Sequence, residues 1–246
     1  MDIVVCIKRV AATDSQIKIA ADGKSIDPAG IEFVLNPYDE YAVEEALKTR
    51  EQFGDSSVTV VTLGSQNAQK ELRTCLAMGA DKAVLIHDGG RAYDAYSIAE
   101  TIAAYLRSIP VSVVFCGKQA VDGDDSQFPS RLAELLGLPC VTEITKLTLQ
   151  PESLSAERDI EGAREVVECP LPAVISASKA LNEPRYANLK GIMAAKRKPL
   201  EQVEAEAIEP ATTTSSLTLP PDRSEGKILE TVDALLDALK NEAKVL

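Results

Sequence analysis

The chain has 246 residues, 26 Lys or Arg against 38 Asp or Glu, and a net charge of −12. Apolar residues make up 45% of it and charged residues 26%, which excludes disorder and fibres and suits one large α/β domain or two small ones. The negative charge repels polyphosphate, against nucleic-acid binding, and no apolar run approaches the roughly 18 residues that a membrane span needs. Residues 2–10 (DIVVCIKRV) read as a buried strand, because a short β-branched run has no polar side to give to water. A strand start without a basic leader is not a signal peptide, so a cytoplasmic protein without membrane insertion is expected. Asp22-Gly23 suits a small hairpin. Asn36-Pro37 opens a helix, with Asn able to cap free N–H groups and Pro fitting the first turn; Gly54 stops it.

Strand 57–63, a Gly64-Ser65 turn and a helix ending at Gly79 follow. Strand 82–87 then pairs with helix 93–107, and strand 111–116 with helix 126–136. Four strand–helix pairs in succession predict a doubly wound, mainly parallel α/β sheet. After Pro139 the short β segments VTEITKLTLQ, SLSAERDI, AREVVEC and AVISAS read as antiparallel additions to that sheet. Residues 1–198 are taken as the α/β domain and 199–246 as a linker followed by an amphipathic helix that packs on a partner subunit.

His87 is the only histidine, which leaves little for a catalytic triad or a His-rich metal site, and its place at a strand end reads as structural. Cys6, Cys75, Cys116, Cys140 and Cys169 are scattered singly and read as small buried hydrophobes in a reducing compartment. No catalytic residue and no metal ligand is assigned.

The loop 117–131 (GKQAVDGDDSQFPSR) leaves a strand and places Lys118, Gln119, Asp122, Asp124, Asp125, Ser126 and Gln127 at the sheet's carboxyl edge. Ligands of open parallel sheets bind at that edge, where strand order reverses. A divalent-metal loop and a nucleotide site compete, and the missing EF-hand spacing favours the nucleotide. In residues 179–198, six Lys or Arg are interleaved with Leu181, Tyr186, Leu189, Ile192 and Met193, the make-up of a contact surface.

Five ordered blocks now carry a resemblance: IKRV, NPYDEYAVEEALKTRE, RTCLAMGADKA, GKQAVDGDDSQ and LNEPRYANLKGIMAAKRKP. Over residues 1 to about 200 the chain resembles the β (small) subunit of electron-transfer flavoproteins. The resemblance implies a Rossmann-like, adenine nucleotide α-hydrolase-like fold. It also implies a heterodimer with an α subunit carrying FAD, passing electrons from flavin dehydrogenases such as acyl-CoA dehydrogenase, in fatty acid oxidation, to a membrane quinone oxidoreductase. The small subunit of such proteins binds AMP, or a second FAD in bifurcating members. Carried over by motif, the pocket would comprise Cys6, Asn36, Pro37, Tyr38, Asp39, Leu63, Gly117, Lys118, Gln119, Ala120, Val121, Asp122, Gly123, Asp124, Asp125, Ser126, Gln127 and Phe128. Tyr38 would face the α-subunit flavin. Leu189 would anchor the dehydrogenase, with Arg185, Tyr186, Lys190, Ile192 and Met193 around it. Bifurcating relatives typically read D-G-D-T-A-Q-V-G-P where this chain has DGDDSQFPS (122–130), and Phe128 and Pro129 also differ from the Thr-Gly common in AMP-holding relatives, so AMP and a second FAD both stay open. A nucleotide-sensing regulatory module on a similar sheet is the reading from another class.

Overall fold

The computed structural model describes residues 1–222 and 225–246; positions 223–224 of the expected extension lie outside them. The chain divides into two compact units, one of Met1–Lys18 with Pro28–Thr214 and one of Ile19–Asp27 with Ser215–Leu246.

In the first unit, the expected first strand ends early: β1 is Asp2–Cys6, and Arg9–Ala11 forms a separate β2, antiparallel to β3 (Phe33–Leu35). Ile7, just after β1, donates its N–H to the Val61 carbonyl at 2.9 Å. Helix α1 (Pro37–Phe53) follows with Pro at its start and Gly54 at positive φ at its end, a backbone that glycine adopts at little cost. Next come β4 (Ser57–Gly64), a 3₁₀ turn at Gln66–Ala68, α2 (Gln69–Met78), β5 (Lys82–His87), α3 (Ala95–Leu106), β6 (Val113–Gly117) and α4 (Phe128–Leu136). Strands β7 (Cys140–Leu149), β8 (Ser153–Ile160), β9 (Ala163–Pro170) and β10 (Val174–Ala177), helix α5 (Leu189–Ala195) and β11 (Leu200–Glu204) complete the unit.

The nine-stranded sheet runs in the order β11-β5-β4-β1-β6-β10-β7-β8-β9. It is doubly wound. The side chains of α1 and α2 pack on one face with Ile3, Val5, Val60 and Phe115, and those of α3 and α4 on the other with Val4, Val61, Val84 and Val114. Successive strand residues point to opposite faces, which is why one run such as VVFCG serves two cores. Only β8 and β9 are antiparallel additions; β10 lies parallel between β6 and β7, and β7 is parallel to β10. The start of the expected linker is likewise a strand, β11, parallel to β5 at the sheet's edge. Its LEQVE pattern has too few apolar residues to announce a strand, because an edge strand buries only part of one face. Cys6, Cys75 and Cys116 are buried as expected, but Cys140 is exposed and Cys169 half-buried. His87 ends β5, its Nδ1 accepting the Gly89 N–H at 3.2 Å, a structural role.

In the second unit the expected hairpin amounts to one antiparallel bridge, Ile19 to Ile26, and Gly23 there accepts the Leu217 N–H at 2.8 Å. Helix α6 (Val232–Asp237) continues into a π-helical turn over Ala238–Glu242, and Val232, Leu235 and Leu236 on it are exposed. Among the described residues no helix is long and apolar enough to cross a membrane.

Candidate functional site

From β1 the chain winds outward through β4 and β5, then crosses back to β6 on the other side of β1. The strand order therefore reverses between β1 and β6, and a crevice at their carboxyl ends is where such sheets place a ligand. Cys6 and Gly117 end these two strands, with Leu63 close to the end of neighbouring β4.

The amino end of α1 closes over this point. Asp39, 5% exposed, accepts from the Lys8 N–H (2.7 Å) and from Asn36 Nδ2 (2.9 Å). Burial pushes the Asp39 carboxyl up to about 7, against the pull of the Asn36, Lys8 and Gly117 donors. A Cβ at Gly117 would stand 2.2 Å from Asp39 Oδ1 and 2.8 Å from the Tyr38 carbonyl carbon. Glycine is required at 117 by the close approach of helix and strand.

Asn36 does not cap α1 as expected. Its Nδ2 also donates to the Gln119 carbonyl (2.8 Å), and its Oδ1 accepts the Val121 N–H (3.2 Å), so the side chain fastens the 117–127 loop to the helix. Lys8, within the IKRV segment and without a signal of its own in sequence, pairs with Asp122 at 2.8 Å. Gln119 donates to Asp124 and accepts from Ser126 Oγ (2.7 Å). Asp124 and Ser126 both take positive φ, 54° and 53°, a backbone that non-glycine residues rarely adopt. Lys118 turns outward to Glu143 at 2.8 Å, a pairing that raises its pKa. Gln127 accepts from Arg131 (2.7 and 3.0 Å), and Phe128 opens α4 half-buried.

The structure thus brings Cys6, Asn36, Asp39 and the loop from Gly117 to Gln127 to one place. Asn36 and Asp39 lie at its buried base, while Pro37, Asp122, Gly123, Asp124, Asp125 and Gln127 are exposed. Tyr38, Leu63, Ala120 and Val121 are half-buried.

The second candidate region lies on the face of α1 and α2. Tyr186 is 97% exposed, Leu189 83% and Met193 62%, and Lys190 and Ile192 are also exposed. Arg185 behaves differently from its expected companions, being half-buried and bound to Glu44 at 2.8 Å and Glu51 at 2.6 Å. Glu44 and Glu51 carried no signal in sequence beyond helical spacing on the face of α1.

A family model, the electron transfer flavoprotein domain, matches residues 24–208. The chain is 42% identical over an alignment of 260 positions to the electron transfer flavoprotein subunit beta of Bacillus subtilis, with both chains covered in full. It is 37% identical to the subunit beta of Syntrophomonas wolfei, covering 100% of this chain and 98% of that one, and 38% identical to the mitochondrial subunit beta of Oryza sativa, with both covered in full. The chain belongs to the electron transfer flavoprotein family, as a β subunit. Its place is therefore in electron transfer, as part of a carrier.

Proposed function

We propose that the crevice between β1 and β6 holds an adenine nucleotide, AMP or a second FAD, and that the apolar ridge over Tyr186–Met193 docks flavin dehydrogenases such as acyl-CoA dehydrogenase. The chain then works as one half of a heterodimer whose α subunit holds the redox FAD and delivers electrons to a quinone oxidoreductase. The observation that carries the nucleotide is the fastened loop at the point of strand-order reversal. Asn36, Lys8 and Gln119 fix one side of it, leaving a turn with two left-handed residues, Asp124 and Ser126. Backbones of that kind make concave anion sites from their N–H groups. The N–H groups of Gly123, Asp125 and Ser126 have no partner among the described residues.

The donor set fits the group. Backbone N–H groups suit a phosphate, and the carboxylates of Asp124 and Asp125 suit sugar hydroxyls. Gly117 leaves the space that lets β6 and α1 meet beneath it. A bound flavin supplies the electron-carrying chemistry; the residues of this chain bind, orient and dock. The exposed apolar side chains of α6 and its flanks, Ile228, Val232 and Leu236, supply the surface for the α subunit. The proposed compartment is the cytoplasm, since the five cysteines are all free thiols.

The test is to purify the heterodimer, denature it and identify the released small molecules. One FAD and one AMP per heterodimer is the expected result; two FAD would assign the bifurcating type. Finding neither AMP nor a second FAD refutes the site.

A further inference from the structure

Residues 182–198 cross α1 and α2 between β10 and β11, and two different fastenings hold them there. On α1, Arg185 donates from Nε and Nη2 to the Glu44 carboxylate (2.8 and 2.9 Å) and from Nη1 to Glu51 (2.6 Å), and its backbone N–H donates to Glu44 (3.1 Å). Asn182 adds bonds to the Tyr41 carbonyl (3.0 Å) and to Glu45 (2.9 Å). Glu44 and Glu45 are buried. A planar guanidinium gripping a carboxylate with two N–H groups sets direction as well as distance, which a lysine cannot do.

On α2, Asn188 caps α5 by accepting the Gly191 N–H at 2.8 Å. Gly191 sits so close that a Cβ there would meet the Ala77 carbonyl oxygen at 2.3 Å. Arg73 closes the far end, donating to the Ala195 and Lys198 carbonyls (2.6 and 2.9 Å). Tyr186, Leu189 and Met193 stand between these fastenings with their apolar bodies in water. Flexible side chains on a flexible loop lose freedom on binding, and a loop already held loses less.

We infer that Arg185 and Gly191 are positioning residues that hold the Tyr186–Met193 ridge in its binding shape before a partner arrives. The inference rests on the docking reading of that ridge. Arg185 then acts through the ridge and touches no partner.

The experiment uses the purified heterodimer as electron acceptor for an acyl-CoA dehydrogenase reduced by its substrate, with Arg185→Lys, Glu44→Gln and Gly191→Ala compared against Leu189→Ala. It reads KM and kcat, flavin content, melting temperature, and hydrogen exchange over 186–195. The positioning variants should raise the KM for the heterodimer about tenfold, equivalent to about 1.4 kcal/mol. Their kcat and flavin content should stay within twofold of wild type, and exchange over 186–195 should quicken. Faster exchange with wild-type KM overturns the inference, and so does a parallel fall of KM performance, flavin content and melting temperature. Unchanged exchange overturns it too. If Leu189→Ala itself leaves KM unchanged, the docking reading fails and takes the inference with it; a raised KM there with wild-type values for the other variants sinks the inference alone.

Discussion

The loop at the strand-order reversal and the Tyr186–Met193 ridge are built in opposite ways, one at the amino end of α1 and the other along its side. The loop is polar, and its groups are tied to one another and to the elements beside it: the Gln119 carbonyl and Val121 N–H to Asn36 before α1, Asp122 to Lys8 after β1, and Gln119 to Asp124 and Ser126. The ridge carries apolar side chains at its crest, with exposed Lys190 beside them, and it is tied down through Arg185, Asn182 and Asn188. A site that must recognise a small anion needs its donors fixed and its backbone bent. A surface that must recognise a protein needs apolar area kept in water and held still. One helix borders both regions, with Asp39 at its amino end and Glu44, Glu45 and Glu51 along its side.

The largest effect is expected at Gly117. Gly117→Ala puts a methyl group 2.2 Å from Asp39 Oδ1 and against α1 backbone, so stability should fall by roughly 3 kcal/mol or more, and nucleotide should be lost with it. Thermal melting and nucleotide release on the same sample check this; a melting point within 2 °C or so of wild type would contradict the close packing.

Leu189→Ala comes next. It should weaken dehydrogenase binding by about 1–3 kcal/mol, roughly ten- to hundred-fold, and leave melting temperature and nucleotide content unchanged, because its side chain is 83% exposed. Binding should also weaken as salt rises, because the exposed Lys190 and Lys196 would steer an acidic partner surface.

Asp39 sharpens the contrast through pH. Its folded-state pKa, about 7, is raised above the ordinary value of 3.8, so the folded state holds a proton that the unfolded chain gives up. Its contribution to stability is full below about pH 4 and is lost as pH rises to about 7, at no more than about 1.4 kcal/mol per pH unit. Asp39→Asn should start less stable, having one acceptor fewer for the Lys8 and Asn36 donors, and should lack this slope. Melting curves of the two proteins from pH 4 to 8 decide it; parallel profiles would mean that Asp39 stays ionised throughout. The smallest effect is expected of Lys8→Met. The Lys8–Asp122 pair is exposed on both sides, so stability should shift by less than about 1 kcal/mol.

Much of this architecture was legible in the residues. Strand 82–87 and the segment SLSAERDI match β5 and β8 residue for residue, because a short continuous apolar run marks the first and turn residues bound the second. The loop's position was legible as well, since the pattern of strand–helix pairs fixes which end of the sheet carries βα loops. What pairs with what was not. AVISAS gave no sign that β10 would slip in parallel between β6 and β7, because strand order depends on crossovers rather than on local pattern. Asn36 looked like an ordinary cap; its loop-fastening role needs Gln119 and Val121, which are distant in sequence. Arg185 looked like one more cation on a basic ridge, and only the fold brings Glu44 and Glu51 beneath it.

The proposed division of labour between the two regions can be measured on a single set of heterodimers. Nucleotide released per heterodimer is plotted against the rate of dehydrogenase-coupled flavin reduction for wild type, Leu189→Ala and Asp39→Asn. Leu189→Ala is expected to keep its full nucleotide while losing roughly ten- to hundred-fold in rate at low concentration, and Asp39→Asn to lose nucleotide first. If Leu189→Ala instead sheds nucleotide in step with its rate, the two regions are one site and the account is wrong.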